Sequence, residues 1–131
     1  MKHGLLLVAH GARDPLWARP FDEVARRIRQ RALTVAVELC FLELMPPGLI
    51  EGGARLVASG CTHIDIVPLF LGAGGHVRKD LPAALNALRT AHASVQWALQ
   101  PAIGEIDSVV EAMAEAALHF MPDAQDAPPA P

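Results

Sequence analysis

Three polar side chains, His10, Glu43 and His76, could together take up a metal ion and pass it on. Two imidazoles and a carboxylate make a ligand set suited to a divalent transition metal. Imidazole also accepts protons near neutral pH, with an ordinary pKa of about 6.5. Each residue has a plainer reading as well: His10 as a turn histidine capping the backbone, His76 as a loop or helix-start histidine, Glu43 as a solvent-facing strand end. Convergence requires a fold that joins three distant segments, so the elements carrying them decide the matter.

Short apolar runs alternate with stretches of helical period, the βαβα pattern of a parallel sheet flanked by helices. Gly4–Ala9 reads as the first strand. A helix over about Pro20–Ala32 has the stripe Phe21, Val24, Ala25, Ile28 and Ala32, with Arg26, Arg27, Arg29 and Arg31 on a solvated face. Leu33–Leu44 reads as the second strand. Pro46-Pro47 then leads into a helix with Leu49, Ile50, Gly53, Leu56 and Val57 inward and Gly60 as its stop. Ile64–Leu71, a nearly continuous apolar run, suits a third strand covered on both faces. Gly72–Gly75 reads as a flexible loop, and Asp80 as the N-cap of a helix with Pro82 in its first turn. Val95–Leu99 is the fourth strand, and a last helix, Glu105–Leu118, turns Ile106, Val109, Val110, Met113 and Ala117 inward.

The expected fold is α/β: one four-stranded parallel sheet in the flavodoxin-like order 2-1-3-4, with helices on both faces. The domain spans 1–120, and 121–131 forms a Pro/Ala-rich disordered tail. In such a sheet ligands bind beyond the carboxyl ends of the strands, near the point where strand order reverses. His10 ends strand one, Glu43 lies at the end of strand two, and His76 follows strand three. Gly11 permits a sharp turn after His10, and the small residues before His76 permit close approach of a bulky ligand. Glu38, five residues before Glu43, faces the other way.

The 131 residues are 52% hydrophobic with a formal net charge of −3, which suits one soluble domain rather than a disordered chain or a nucleic-acid binder. No apolar run approaches the roughly 18–20 residues of a membrane span. The run Leu5–Ala9 ends without a signal-peptidase pattern. Cys40 and Cys61 form no CxxC pair and read as small core residues in a reduced, cytoplasmic setting. The glycine loop lacks the Lys-Ser/Thr of a phosphate loop and is not GxGxxG. No HExxH is present, and Ser59, Ser94 and Ser108 sit at no nucleophile elbow. A phosphohistidine phosphatase is disfavoured because Ala9 stands where its arginine would precede His10.

Three blocks carry a more specific signal: Val8-Ala9-His10-Gly11-Ala12-Arg13-Asp14-Pro15, Glu38-Leu39-Cys40-Phe41-Leu42-Glu43, and Val67 through Asp80 with Gly72-Ala73-Gly74-Gly75-His76 at its centre. In this order they resemble the short form of the sirohydrochlorin chelatases, over most of residues 4–118. The resemblance implies ATP-independent insertion of a divalent metal into sirohydrochlorin: Co²⁺ for cobalamin first, Fe²⁺ for sirohaem as the alternative, Ni²⁺ as a further candidate. It places the two histidines of that family on His10 and His76 and its acidic metal-site position on Glu43. Ala12 stands where serine is frequent in the family. The chain lacks the histidine-rich stretch and cluster cysteines of some longer relatives, so no iron–sulfur cluster and no organic cofactor are expected.

Metal insertion exchanges two pyrrole N–H protons for one divalent cation, so ligands and proton acceptors are needed together. His10 and His76 would do both, with Glu43 completing the metal site or orienting a ring. The tetrapyrrole carries eight carboxylates, for which Arg13, Arg78 and Lys79 are candidate partners, with Gly74 and Gly75 beside the ring. Ordinary surface charge is the alternative for each cation. One four-stranded lobe offers a single wall to a macrocycle, which implies a homodimer. A rival of another class is a metal or tetrapyrrole carrier that binds without turnover.

Overall fold

The computed structural model describes residues 1–72 and 74–122; Ala73, the side chain of His76 and residues 123–131 lie outside the description. The strands are β1 (His3–Ala9), β2 (Ala36–Phe41), β3 (His63–Pro68) and β4 (Gln96–Leu99), all parallel, in the order β2-β1-β3-β4. The helices are α1 (Arg19–Arg31), α2 (Leu49–Ala58), α3 (Gly75–Ala91) and α4 (Asp107–Leu118), and short 3-10 turns occupy Pro15–Ala18 and Ile103–Glu105. The expected strand order and alternation are therefore present.

Alternation along β1 divides the core in two. Leu6 and Val8 face one way and pack with Leu56, Ile64, Ile66 and Leu88 beneath α2 and α3. Leu7 and Ala9 face the other way and pack with Ala18, Ala25, Leu39 and Phe41 beneath α1. Helix α2 lies close to α3 and to the Trp97 ring of β4 because residue 53 is glycine: a Cβ there would stand 2.6 Å from Leu88 Cδ2 and 3.1 Å from Trp97 Cη2. The end of α2 follows the Schellman pattern, with Cys61 N–H donating to Leu56 O (3.1 Å) and Gly60 N–H to Val57 O (2.9 Å). Gly60, at φ +97°, is the expected stop.

Several expectations are corrected. The second strand is half as long as 33–44 suggested, because Leu42–Pro47 turn away in a tight corner. Ile50 of α2 is exposed rather than inward. Helix α3 begins at Gly75, so Asp80 lies inside it and is no N-cap, and Pro82 falls in its second turn. In β3, Ile64, Ile66 and Pro68 are buried while His63, Asp65 and Val67 are only partly so: one face is covered, not both. Asp65 instead accepts a hydrogen bond from Gln100 Nε2 at 2.7 Å. Helix α4 buries no residue, and its expected inward positions Ile106, Val110 and Met113 are exposed. The tail expected over 121–131 lies, from residue 123 on, outside the described residues.

Candidate functional site

The corner after β2 is built against the loop after β1. Leu42 N–H donates to Ala9 O (3.0 Å) and Glu43 N–H to His10 O (3.1 Å), so the β1–β2 ladder runs on past both strand ends. Gly11, at φ +99°, lies directly on this corner: a Cβ there would sit 1.9 Å from the Glu43 carbonyl oxygen. No residue but glycine meets both requirements. Leu44, at φ +67°, is a non-glycine residue in the left-handed region, a conformation that costs of order 1 kcal/mol and gathers at functional sites.

These backbone contacts bring two of the three expected residues together. His10 Nε2 lies 3.0 Å from Glu43 Oε1, with side chains 48% and 55% exposed. An ionised carboxylate only accepts, so Nε2–H is the donor while the pair is intact, and the lone pair of a neutral ring lies on Nδ1. The edge of the His10 ring meets Phe70, with centroids 6.3 Å apart at 70°. The pair opens into a hollow of about 240 Å³ whose apolar wall includes Phe41, Leu42, Leu49 and Ala84, with Asp80 as a further carboxylate. Among the described residues, no three His, Cys, Asp or Glu side chains stand close enough to hold a metal as they are.

His76 occupies the second position of α3, four residues before Asp80; its side chain lies outside the described residues. Gly74 caps the start of α3 and Gly75 is its first residue, and a Cβ at either would meet nothing within 4 Å. The glycine segment thus borders open space. Arg13, Arg78 and Lys79 are exposed. Arg78 lines a neighbouring hollow of about 210 Å³ with Gln100, Glu105 and Phe70, the ring that also meets His10. Neither Arg13 nor Lys79 lines either hollow.

Asp80 was read from the sequence as a helix cap and not as a site residue, and the apolar wall was not singled out. Ending the glycine loop at Gly74 would have revealed Asp80, because a helix starting at Gly75 places it one turn beyond His76. Of the remaining candidates, Cys40 and Cys61 are buried free thiols, and burial pushes the Cys40 thiol up to about 12. Arg26 and Arg27 pair with Glu23 on the outer face of α1, whereas Arg29 reaches the Val37 carbonyl at 2.8 Å.

The chain is similar to several known proteins. A sirohydrochlorin cobaltochelatase of Methanosarcina acetivorans is 35% identical over 85 residues, 65% of each chain. The chain thus spans just under two thirds of that relative's length. A sirohydrochlorin ferrochelatase of Bacillus subtilis is 29% identical over 113 residues, 86% of this chain and 43% of the relative. Among solved structures, a CbiX protein of Marinobacter aquaeolei superposes with a TM-score of 0.79 at 30% identity, covering 91% of this chain and 97% of that one. The chelatase SirB from Bacillus subtilis subspecies spizizenii, in complex with cobalt, superposes with a TM-score of 0.78 at 28% identity, over 95% of this chain and 51% of SirB. Residues 4–119 match the CbiX family as a whole, and the chain belongs to that family.

Proposed function

We propose that this chain inserts a divalent metal into sirohydrochlorin without ATP, Co²⁺ first and Fe²⁺ as the alternative. The observation that carries the reading is the His10–Glu43 contact at the carboxyl ends of β1 and β2, in a family whose relatives are named for cobalt and iron insertion. Two ligands held at about 2.0–2.1 Å by a tetrahedral cation stand roughly 3.3 Å apart, and the pair is already 3.0 Å apart. A cation therefore enters by replacing the shared proton with little movement of either side chain, and loading releases that proton. With His76 as a third ligand from α3, the set is open and weak enough to give the metal up again.

Transfer then balances: the ring nitrogens lose two protons and gain M²⁺, and imidazoles freed of the metal accept those protons. The apolar wall of Phe41, Leu42 and Leu49 suits a flat macrocycle. Arg13, Arg78 and Lys79 suit its carboxylates despite the net charge of −3, because local rather than total charge acts at this range. No organic cofactor is required. A second copy would supply the facing wall, in a cytoplasmic homodimer.

The test is anaerobic insertion into sirohydrochlorin followed by absorbance, with Co²⁺ and Fe²⁺ in separate runs. The intact chain should exceed the uncatalysed background, and His10→Ala and His76→Ala should each lose about 100-fold or more. No acceleration by folded protein with either metal overturns the reading. In that event, retained binding of sirohydrochlorin or Co²⁺ would identify a carrier.

A further inference from the structure

The less covered face of the sheet changes chemistry along its length. On the α1 side, an open apolar groove of about 340 Å³ runs between α1 and β3, lined by Leu5 and Leu7 of β1 and Val67 of β3. Alternation carries the same face back to His3 on β1 and to Asp65 and His63 on β3. There the apolar lining ends and two imidazoles stand side by side. The metal-insertion chemistry uses neither of them.

His3 and His63 are direct partners in the parallel β1–β3 ladder, so their side chains leave one face of the sheet at one level. The ladder is pinned at this point, because Thr62 N–H donates to Lys2 O at 2.9 Å. The ring centroids are 5.2 Å apart and the planes meet at 39°. Two imidazoles bound through nitrogen to one tetrahedral cation, at about 2.0–2.1 Å each, have centroids roughly 5 Å apart. The pair thus already stands at the spacing a shared cation requires.

The tautomer of one ring is set as well. Thr62 Oγ1 lies 2.9 Å from His63 Nδ1 and donates its own proton to Lys2 O at 3.3 Å. Its oxygen is left to accept the Nδ1–H, so the lone pair of a neutral His63 ring lies on Nε2. A hydrogen bond to the second ring nitrogen is how proteins orient a metal-binding histidine. Both rings line a hollow of about 200 Å³ that Asp65 and Gln96 share. Asp65, which accepts a hydrogen bond from Gln100, brings negative charge to that hollow. It lies at the far end of β1 from His10, about 23 Å away at the rise of a strand.

We infer that His3 and His63 form a second divalent-metal site at the amino end of the sheet, for a cation that takes nitrogen ligands, such as Zn²⁺, Co²⁺ or Cu²⁺. Two imidazoles hold the ion and water fills its other positions, since among the described residues no third His, Cys, Asp or Glu stands close enough to join them. Mg²⁺ and Ca²⁺, which take oxygen ligands, are disfavoured by the same donors. An ion held here bridges β1 and β3 and so favours the folded chain. The inference does not rest on the insertion reaction.

Calorimetric titration with Zn²⁺ and Co²⁺ tests it on the full chain without an affinity tag. A His10→Ala, His76→Ala background removes competition from the other end of the sheet. A single equivalent should bind, Mg²⁺ should not, and the His3 and His63 ring signals should shift together in NMR spectra. His3→Ala and His63→Ala should each cost about 100-fold or more in affinity, and Thr62→Val, which removes only the partner of Nδ1, about 10-fold. Circular dichroism should stay native, because both rings reach solvent. Zn²⁺ should also raise the thermal midpoint of the background protein and leave that of its His63→Ala derivative unchanged. Failure of the folded protein to bind either ion overturns the site. So does binding that survives His3→Ala or His63→Ala undiminished, because the ion would then rest on one ring or elsewhere. Equal binding of Mg²⁺ would put the ion on oxygen ligands and overturn it too.

Discussion

The face of the sheet beneath α2 and α3 packs side chains from all four strands, and Leu6, Val8, Ile64, Ile66 and Leu88 are sealed there at 0–1% exposure. The opposite face has α1 over its β2–β1 half, and among the described residues no helix of this chain lies over β3. The same strands build both faces, so strand propensity does not explain the difference. What differs is the destination of the crossovers. Helices α2 and α3 return the chain to the sheet and must cross it, whereas among the described residues no strand follows α4. Closure of a sheet face is thus a property of connections.

Neighbouring residues in β3 give the strongest test of that contrast. Ile66 is 1% exposed on the closed face, whereas Val67 points into the open groove. Ile66→Ala should cost about 2–5 kcal/mol in urea unfolding, as buried aliphatic truncations do. Val67→Ala should cost less than about 1 kcal/mol where the protein is dilute. Equal costs at both positions under dilute conditions would mean that the groove is already filled.

A smaller effect separates the faces through pH. Cys40 lies on the closed face, where burial chiefly, and the nearby Glu38 charge secondarily, push its thiol from 9.0 up to about 12. The folded chain keeps this proton where an unfolded chain would lose it, so stability should fall as pH rises between about 9 and about 12. Cys40→Ala should flatten that slope, as measured by urea midpoints across the alkaline range. The native thiol should also resist labelling by a disulfide reagent until the protein unfolds. Ready labelling of Cys40 at neutral pH in the folded state would contradict the seal on this face.

Much of this was legible in the sequence, and the exceptions share a cause. Strand order follows from alternation and right-handed crossovers, and the meeting of His10 with Glu43 follows from strand order, since β1 and β2 are neighbours. Gly11 was read as a turn residue; that its hydrogen also makes room for the Glu43 carbonyl depends on a contact across 32 residues. The start of α3 was misplaced because a glycine pair reads as loop until packing of Val77 and Leu81 selects the helix. Asp80 was lost with it. The stripe on α4 was read correctly as amphipathic and wrongly as inward, because periodicity reports an apolar face and not what packs against it. Likewise the nearly continuous apolar run of β3 was read as covered on both faces, whereas Asp65 stands on the less covered one.

The smallest expected effect lies on the solvent side of α1, outside both cores. Glu23 accepts hydrogen bonds from Arg26 and then Arg27, which hold its carboxyl at about 2 rather than 4.5. A depressed carboxyl contributes stability above its unfolded pKa and loses it as pH falls, so this contribution should fade between about 4.5 and about 2. An NMR titration should place the Glu23 midpoint below 4.5, by less than the full depression because water screens the exposed pair, and Arg26→Ala should raise it more than Arg27→Ala, in the order of their contacts. Glu23→Gln should nevertheless leave the neutral-pH unfolding midpoint almost unchanged, because exposed pairs within one helix are screened by water and salt. If the substitution instead lowered that midpoint clearly, the Glu23 pairs would be doing more than exposed pairs on one helix can, and the outer face of α1 would be less open to water than its exposure shows.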